Sequence, residues 1–230
     1  MEDRGIIYIA IGDEYRMMAI QSAQSIIDLY VSECPQITIL TTDSGNFRIS
    51  PYISLRQING DFSADPAIAT AYLKTRLYFL SEFTKTLYLD CDTRAVGNLS
   101  GIWDYLGNSI AVAPAYNPLS EYTVYPRNPE ATKTSMCLSK INDYTQYNTG
   151  VLLFRRTLNI YKIFELWRKE WCEFQHHENM AFTRLVCQGF NVDYLPSKYN
   201  QFYSEVDKHS ILIHYVGGYK KYLKSLEEHS

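Results

Sequence analysis

Two acidic residues at i and i+2, Asp90 and Asp92, follow directly on the apolar run Thr86-Leu87-Tyr88-Leu89. In extended backbone that spacing turns both carboxylates to one face, where they can converge on a hard cation. A cation at a strand end suits phosphate chemistry. The same pair also fits a plain turn or a helix cap. His214, just after the apolar Ile211-Leu212-Ile213, is placed either to add a third ligand from another strand end or to rest as a satisfied histidine beside the core. Two carboxylates and an imidazole, joined by diphosphate oxygens, favour Mn²⁺, with Mg²⁺ as a substitute.

Such groups need strand ends to hold them, and the apolar pattern supplies these. Residues 6–11 read as a buried first strand, 12–15 as a loop, and Met17, Met18, Ile20, Ala23, Ile26, Ile27 and Tyr30 recur at helical spacing. Strands follow at 37–42 and 53–58, a helix at 66–83, and strands at 86–89 and 110–113. Residues 117–145 are polar, contain proline and lack a clear period, so they read as a long loop or lid. A strand at 150–154, helices at 160–174 and 178–187, and strands at 190–195 and 211–213 complete the chain. The alternation predicts one α/β domain, a mainly parallel sheet flanked by helices, with its ligand site outside the strand C-termini.

At 230 residues and 46% hydrophobic, the chain can bury a substantial core, which excludes disordered and fibrous classes. The net charge of −3 excludes a broad cationic field, so nucleic acid is not an expected partner. Five scattered cysteines with no C-x-x-C pair argue against a zinc knuckle or disulfide framework and fit a reducing compartment. The charged N-terminus lacks the layout of a secretory signal, and no apolar stretch reaches the roughly 18 residues that span a bilayer. A cytoplasmic protein is expected, touching membranes at most peripherally through its Lys-containing tail. Twenty tyrosines offer surfaces that suit sugar rings.

Residues 85–104, KTLYLDCDTRAVGNLSGIWD, resemble the nucleotide-sugar-binding core of retaining glycosyltransferases of the galactosyltransferase, glycogenin and galactinol synthase type, family 8-like enzymes of GT-A fold. Val96, Asn98, Leu99, Trp103 and Asp104 stand at the positions that follow the D-x-D element in that family. Further blocks match in the same order: Arg76-Leu77, Tyr147-Asn148-Thr149-Gly150-Val151, Leu195-Pro196-Ser197-Lys198-Tyr199-Asn200, and His214-Tyr215-Val216-Gly217-Gly218-Tyr219-Lys220.

The resemblance implies transfer of a sugar, with retention, from a nucleotide-diphosphate donor to a hydroxyl acceptor that is a glycan or is lipid- or protein-linked. It implies metal ligation by Asp90, Asp92 and His214, and diphosphate contacts from Lys220, Gly217 and Arg76. Ala10, Asp13, Tyr15, Cys91 and Asn148 complete the implied donor-binding set. Glu178 and Asn179 stand where relatives carry Asp-Gln or Asp-Glu near the anomeric carbon, and Gly12-Asp13-Glu14-Tyr15 where many carry Asp-Asp-Asn-Tyr. Those departures bear on the sugar and the base, and UDP is the first expectation for the nucleotide. The resemblance divides the chain into a nucleotide half at 1–115, an acceptor loop or lid at 116–146, a sugar half at 147–218 and a tail. Alternatives are a non-catalytic sugar-nucleotide or glycan-binding module, and a nucleotidyltransferase. The latter needs a Gly-rich basic loop that residues 10–15 do not supply.

Overall fold

A computed structural model of the chain describes residues 3–30, 34–42, 45–115, 128–143 and 145–216. The described segments build an eight-stranded sheet in the order β3-β4-β2-β1-β5-β8-β7-β9. Its strands are β1 (Arg4–Ala10), β2 (Gln36–Thr41), β3 (Phe47–Arg48), β4 (Ile53–Gln57), β5 (Lys85–Leu89), β7 (Ala111–Pro114), β8 (Tyr147–Arg155) and β9 (Asp193–Tyr194). Edge strand β3 and inner strand β8 run against the others. A small second sheet joins β10 (Gln201–Phe202), β11 (Leu212–His214) and β6 (Thr93–Ala95).

Helices cover both sheet faces, which is why β1 is apolar without interruption from Ile6 to Ala10. Ile6, Tyr8 and Ala10 share a core with Met18, Ala23 and Ile26 of α1 (Asp13–Leu29). The alternate residues Ile7 and Ile9 pack with α2 (Pro66–Lys74), α3 (Leu77–Leu80), α5 (Leu158–Cys172) and α6 (Glu178–Cys187). The chain leaves β1 for β2 on one side and returns to place β5 on the other. Between β1 and β5 lies the topological switch point, where open α/β sheets hold their ligands.

Four sequence expectations change. Residues 13–15 are not loop but the first turn of α1, entered through Gly12 at φ +88°, a conformation that favours glycine. The helix expected over 66–83 breaks at Thr75 and Arg76, where Arg76 takes φ −112°. The segment expected as a loop over 117–145 contains α4 (Pro129–Ile141), capped by Asn128, whose Oδ1 accepts from the backbone of Glu130 and Ala131. Residues 116–127 and 144 lie outside the described residues. The strand expected over 190–195 shrinks to β9 at the sheet edge.

Candidate active site

The acidic pair emerges at the C-terminal end of β5, at the switch point. Between its two members Cys91 turns inward, its thiol donating to the Ile9 carbonyl at 3.1 Å, so Asp90 and Asp92 face outward together. Burial pushes the Cys91 thiol well above its ordinary pKa, which keeps it protonated. A buried polar chain fixes the turn: Tyr8 Oη meets Ser22 Oγ at 2.9 Å, Ser22 Oγ meets Thr93 Oγ1 at 3.0 Å, and Thr93 Oγ1 donates to the Asp90 carbonyl at 2.8 Å.

Antiparallel pairing of β11 with β6 sets His214 opposite Thr93 and carries its ring to the pair. His214 Nε2 lies 3.1 Å from Asp92 Oδ1 and 3.7 Å from Asp90 Oδ2. On the other edge, Nδ1 meets Asn200 Oδ1 at 2.9 Å, while Asn200 Nδ2 donates to Asn148 Oδ1 at 3.0 Å. Because the Asn200 amide nitrogen is thus engaged, its oxygen accepts from Nδ1–H, leaving the Nε2 lone pair facing the carboxylates. Ligand atoms of Asp90, Asp92 and His214 all fall within 4.8 Å of one another, and the donor set fits a divalent cation. With no cation, burial pulls the His214 pKa down, but attraction to Asp92 and the hydrogen bond that Asp92 accepts from the protonated ring, with Asp90 behind, outweigh it and leave the pKa raised.

Strand β8 contributes through an irregularity. Its register against β7 slips between Val112 and Ala113, which throws out the stretch containing Thr149 and Gly150. The Gly150 carbonyl accepts from the Asp90 backbone at 2.8 Å. A Cβ on Gly150 would overlap the His214 ring and stand 2.7 Å from Asp90 Oδ2, so only glycine lets the three ligands approach.

Glu178, expected beside the sugar, opens α6 in its first turn, where a helix favours negative charge. Its Oε1 accepts from Lys74 Nζ at 2.7 Å and from Thr149 Oγ1 at 3.0 Å, and Trp167 Nε1 donates to its carbonyl at 2.8 Å. Lys74, which the sequence reading did not single out, also contacts Asp90 Oδ1 at 2.9 Å and lies over the Tyr88 ring. Tyr88 Oη donates to the same carboxylate at 2.5 Å. Burial lowers the pKa of Lys74, but Asp90 and Glu178 overcome this and raise it, so the ammonium stays charged.

A pocket of about 210 Å³ is lined by Ile9, Tyr15, Lys74, Asp90, Asp92 and Glu178, among others. The structure therefore gathers Tyr15, Asp90, Cys91, Asp92, His214 and Glu178 at one place. Arg76 stands apart: at the break after α2 its Nη1 donates to Tyr72 Oη at 2.7 Å, and Lys74 takes the position over the pocket. Asp13 is exposed and pairs with Arg16 at 2.5 Å. Ala10 is buried at the end of β1, and Asn148 supports His214 through Asn200. Asn179 engages its own helix, its Oδ1 accepting from Met180. Gly217 and Lys220 lie outside the described residues. Asn98, Leu99 and Trp103 serve structure: Asn98 caps a short 3₁₀ turn over Leu99–Tyr105, and Leu99 and Trp103 are buried, whereas Val96 is exposed.

An open, mainly parallel sheet flanked on both faces by helices, with acidic side chains at its switch point, is the architecture of GT-A-fold glycosyltransferases. The chain belongs to glycosyl transferase family 8, whose family profile matches residues 64–224. Among solved structures it resembles the galactosyltransferase LgtC in complex with donor and acceptor sugar analogues, with TM-score 0.64, 19% identity, and 93% of this chain and 87% of that one covered. The bifunctional glycosyltransferase WbbM gives TM-score 0.70 at 14% identity over 98% of this chain, which spans half of WbbM. Mouse xyloside xylosyltransferase 1 gives 0.62 at 12%, covering 94% and 98%. No curated protein sequence matches the chain. Among the described residues no helix is long and apolar enough to cross a membrane.

Proposed function

We propose that this glycosyltransferase moves a sugar from a nucleoside-diphosphate donor, UDP first, to a hydroxyl of a glycan or of a lipid- or protein-linked acceptor, with retention and with a divalent cation, Mn²⁺ before Mg²⁺. The observation that carries this reading is the convergence of Asp90, Asp92 and His214 at the mouth of the pocket whose further wall is Lys74 and Glu178. A cation held by these three side chains would neutralise charge on the departing diphosphate as the glycosidic bond breaks.

In this reading Tyr15 stacks on the base, and Asp13 reaches ribose or base edges. Lys220 and Gly217 are assigned the diphosphate contacts that the resemblance implies. Glu178, held in place by Lys74 and Thr149, presents its remaining oxygen to the positive charge that grows on the sugar ring. Asn179 follows it on the same turn. No side chain is assigned as a covalent nucleophile, so the acceptor attacks from the face that the leaving phosphate vacates. A single domain is supported by β8 and β9, which bring the 147–218 half into the same sheet as β1. Five unpaired cysteines support a reducing, cytoplasmic setting. An acceptor-side role is proposed for residues 116–146, of which α4 is a described part.

The test is a screen of nucleotide sugars by thermal shift and by release of nucleoside diphosphate, with Mn²⁺ and with chelator, followed by NMR of the anomeric product. Donor turnover should require the cation and give the retained anomer. Asp92→Asn should lower donor hydrolysis and transfer by about 10³-fold, the scale of losing a main electrostatic stabiliser, while circular dichroism stays unchanged. Full activity in that variant would overturn the assignment.

A further inference from the structure

Beside α6 the chain assembles a second group of metal-ligating side chains, apart from Asp90, Asp92 and His214. Glu130 lies in the first turn of α4, and His176 and His177 lie in the connection from α5 to α6. Each offers one ligand atom, all within 4.8 Å of one another. His176 Nδ1 stands 3.9 Å from Glu130 Oε2. Neighbouring ligand atoms of a tetrahedral ion with bonds of about 2.0–2.1 Å stand roughly 3.4 Å apart, so this pair has only a short way to close. The two rings meet edge to face with centroids 4.0 Å apart, and the exposed His176 can close on an ion by rotating about its own bonds.

Charge in this region is unbalanced. Glu130 is only 2% exposed; its Oε1 accepts from Arg184 Nη1 at 3.2 Å, and its Oε2 accepts from the His177 backbone N–H at 3.1 Å. Each carboxylate oxygen has two lone pairs, so Oε2 retains one for an ion. Arg184 also pairs with Glu170 at 3.2 Å, and Lys133 reaches both Glu170 and Glu173. This linked cluster sets three carboxylates, Glu130, Glu170 and Glu173, against two cations, Lys133 and Arg184. The surplus of one negative charge, with Glu173 half-exposed to solvent, favours a cation on this side of α4. Arg184 is then an outer partner that fixes the carboxylate, as hydrogen-bonded groups behind metal ligands do.

We propose that Glu130, His176 and His177 bind a first-row transition-metal dication, Zn²⁺ in the first instance, at a site separate from the donor pocket. Two imidazoles and one carboxylate form a zinc donor set that leaves a coordination position for water. The ion ties the start of α4 to the residue preceding Glu178, and so braces the wall of the donor pocket from behind. This site stands whether or not the nucleotide-sugar reading holds.

The experiment uses the full chain carrying Asp92→Asn, which disables the first cluster. Zn²⁺ alone is titrated by calorimetry, and Co²⁺ is added separately as a spectroscopic probe. One Zn²⁺ per chain is expected, with visible d–d bands from bound Co²⁺. Adding His176→Ala and His177→Ala should weaken Zn²⁺ binding by more than about 100-fold, beyond the 10–100-fold typical of losing an outer partner. Absence of stoichiometric Zn²⁺ binding in the Asp92→Asn chain, or an unchanged affinity after loss of both imidazoles, overturns the proposal. Should the combined variant lose its circular dichroism, His176→Gln alone replaces an exposed ring and should weaken Zn²⁺ at least about tenfold. Unchanged affinity there overturns the proposal equally.

Discussion

The two carboxylate–histidine clusters are built inside out relative to each other. At the donor pocket the imidazole of His214 is buried and oriented by Asn200, while Asp90 and Asp92 are partly open to solvent. Beside α6 it is the carboxylate of Glu130 that is buried and oriented, by Arg184, while the imidazole of His176 is open. The difference separates two tasks. Open carboxylates around a fixed imidazole leave a face for an anionic ligand to share the cation. A fixed carboxylate beside one exposed and one half-buried imidazole suits an ion that closes a connection between helices.

Breaking the first cluster should have the largest effect. Asp90→Asn removes a proposed ligand and half of the charge that holds Lys74, and should cut cation-dependent turnover by about 10³-fold in a diphosphate-release assay. Lys74→Met should follow, because it leaves Asp90 and Glu178 facing each other without their shared cation. A loss of about 3 kcal/mol in urea unfolding is expected, partly recovered by Mn²⁺; an unchanged midpoint would mean that the ammonium is dispensable. Asn200→Ala should weaken Mn²⁺ binding by about 10–100-fold with little change in fold, since it frees the His214 ring without removing it. A Zn²⁺ titration of the same variant should leave the second cluster unaffected.

The smallest effect is on pH dependence. His214 has a folded pKa raised above the usual imidazole value of about 6.5, so its contribution to stability is complete below that pH and is lost as pH rises through the folded value. Cation-free protein should therefore lose about 2 °C of Tm between pH 6 and 8 relative to His214→Gln. Mn²⁺ affinity should rise over the same window, because the ion displaces that proton.

How much of this was legible in the sequence depended on whether a residue's neighbours along the chain are also its neighbours in space. The acidic pair was readable because a strand end fixes i and i+2 on one side. His214 was readable because a second apolar run ended beside it. Lys74 was not, because the resemblance rests on Arg76-Leu77, whereas it is the end of α2 that brings the Lys74 ammonium to the pocket. Helix α4 was hidden for another reason: its buried residues include Glu130 and Thr134, which bond to Arg184, so its inward face carries no clear apolar period. The break at Thr75 and Arg76 has neither proline nor glycine to announce it. The small sheet that delivers His214 pairs strands of two and three residues, too short to be read from alternation.

The inward thiol of Cys91 has a practical consequence. Burial also lifts Cys34 and Cys187 to about 11, whereas Cys172, at the end of α5, is exposed. A thiol-reactive dye at neutral pH should attach first at Cys172, four residues before His176, and spare the sulfur lodged between Asp90 and Asp92. The native chain thus carries its own labelling position, from which fluorescence could follow the helix connection in working enzyme without any engineered cysteine.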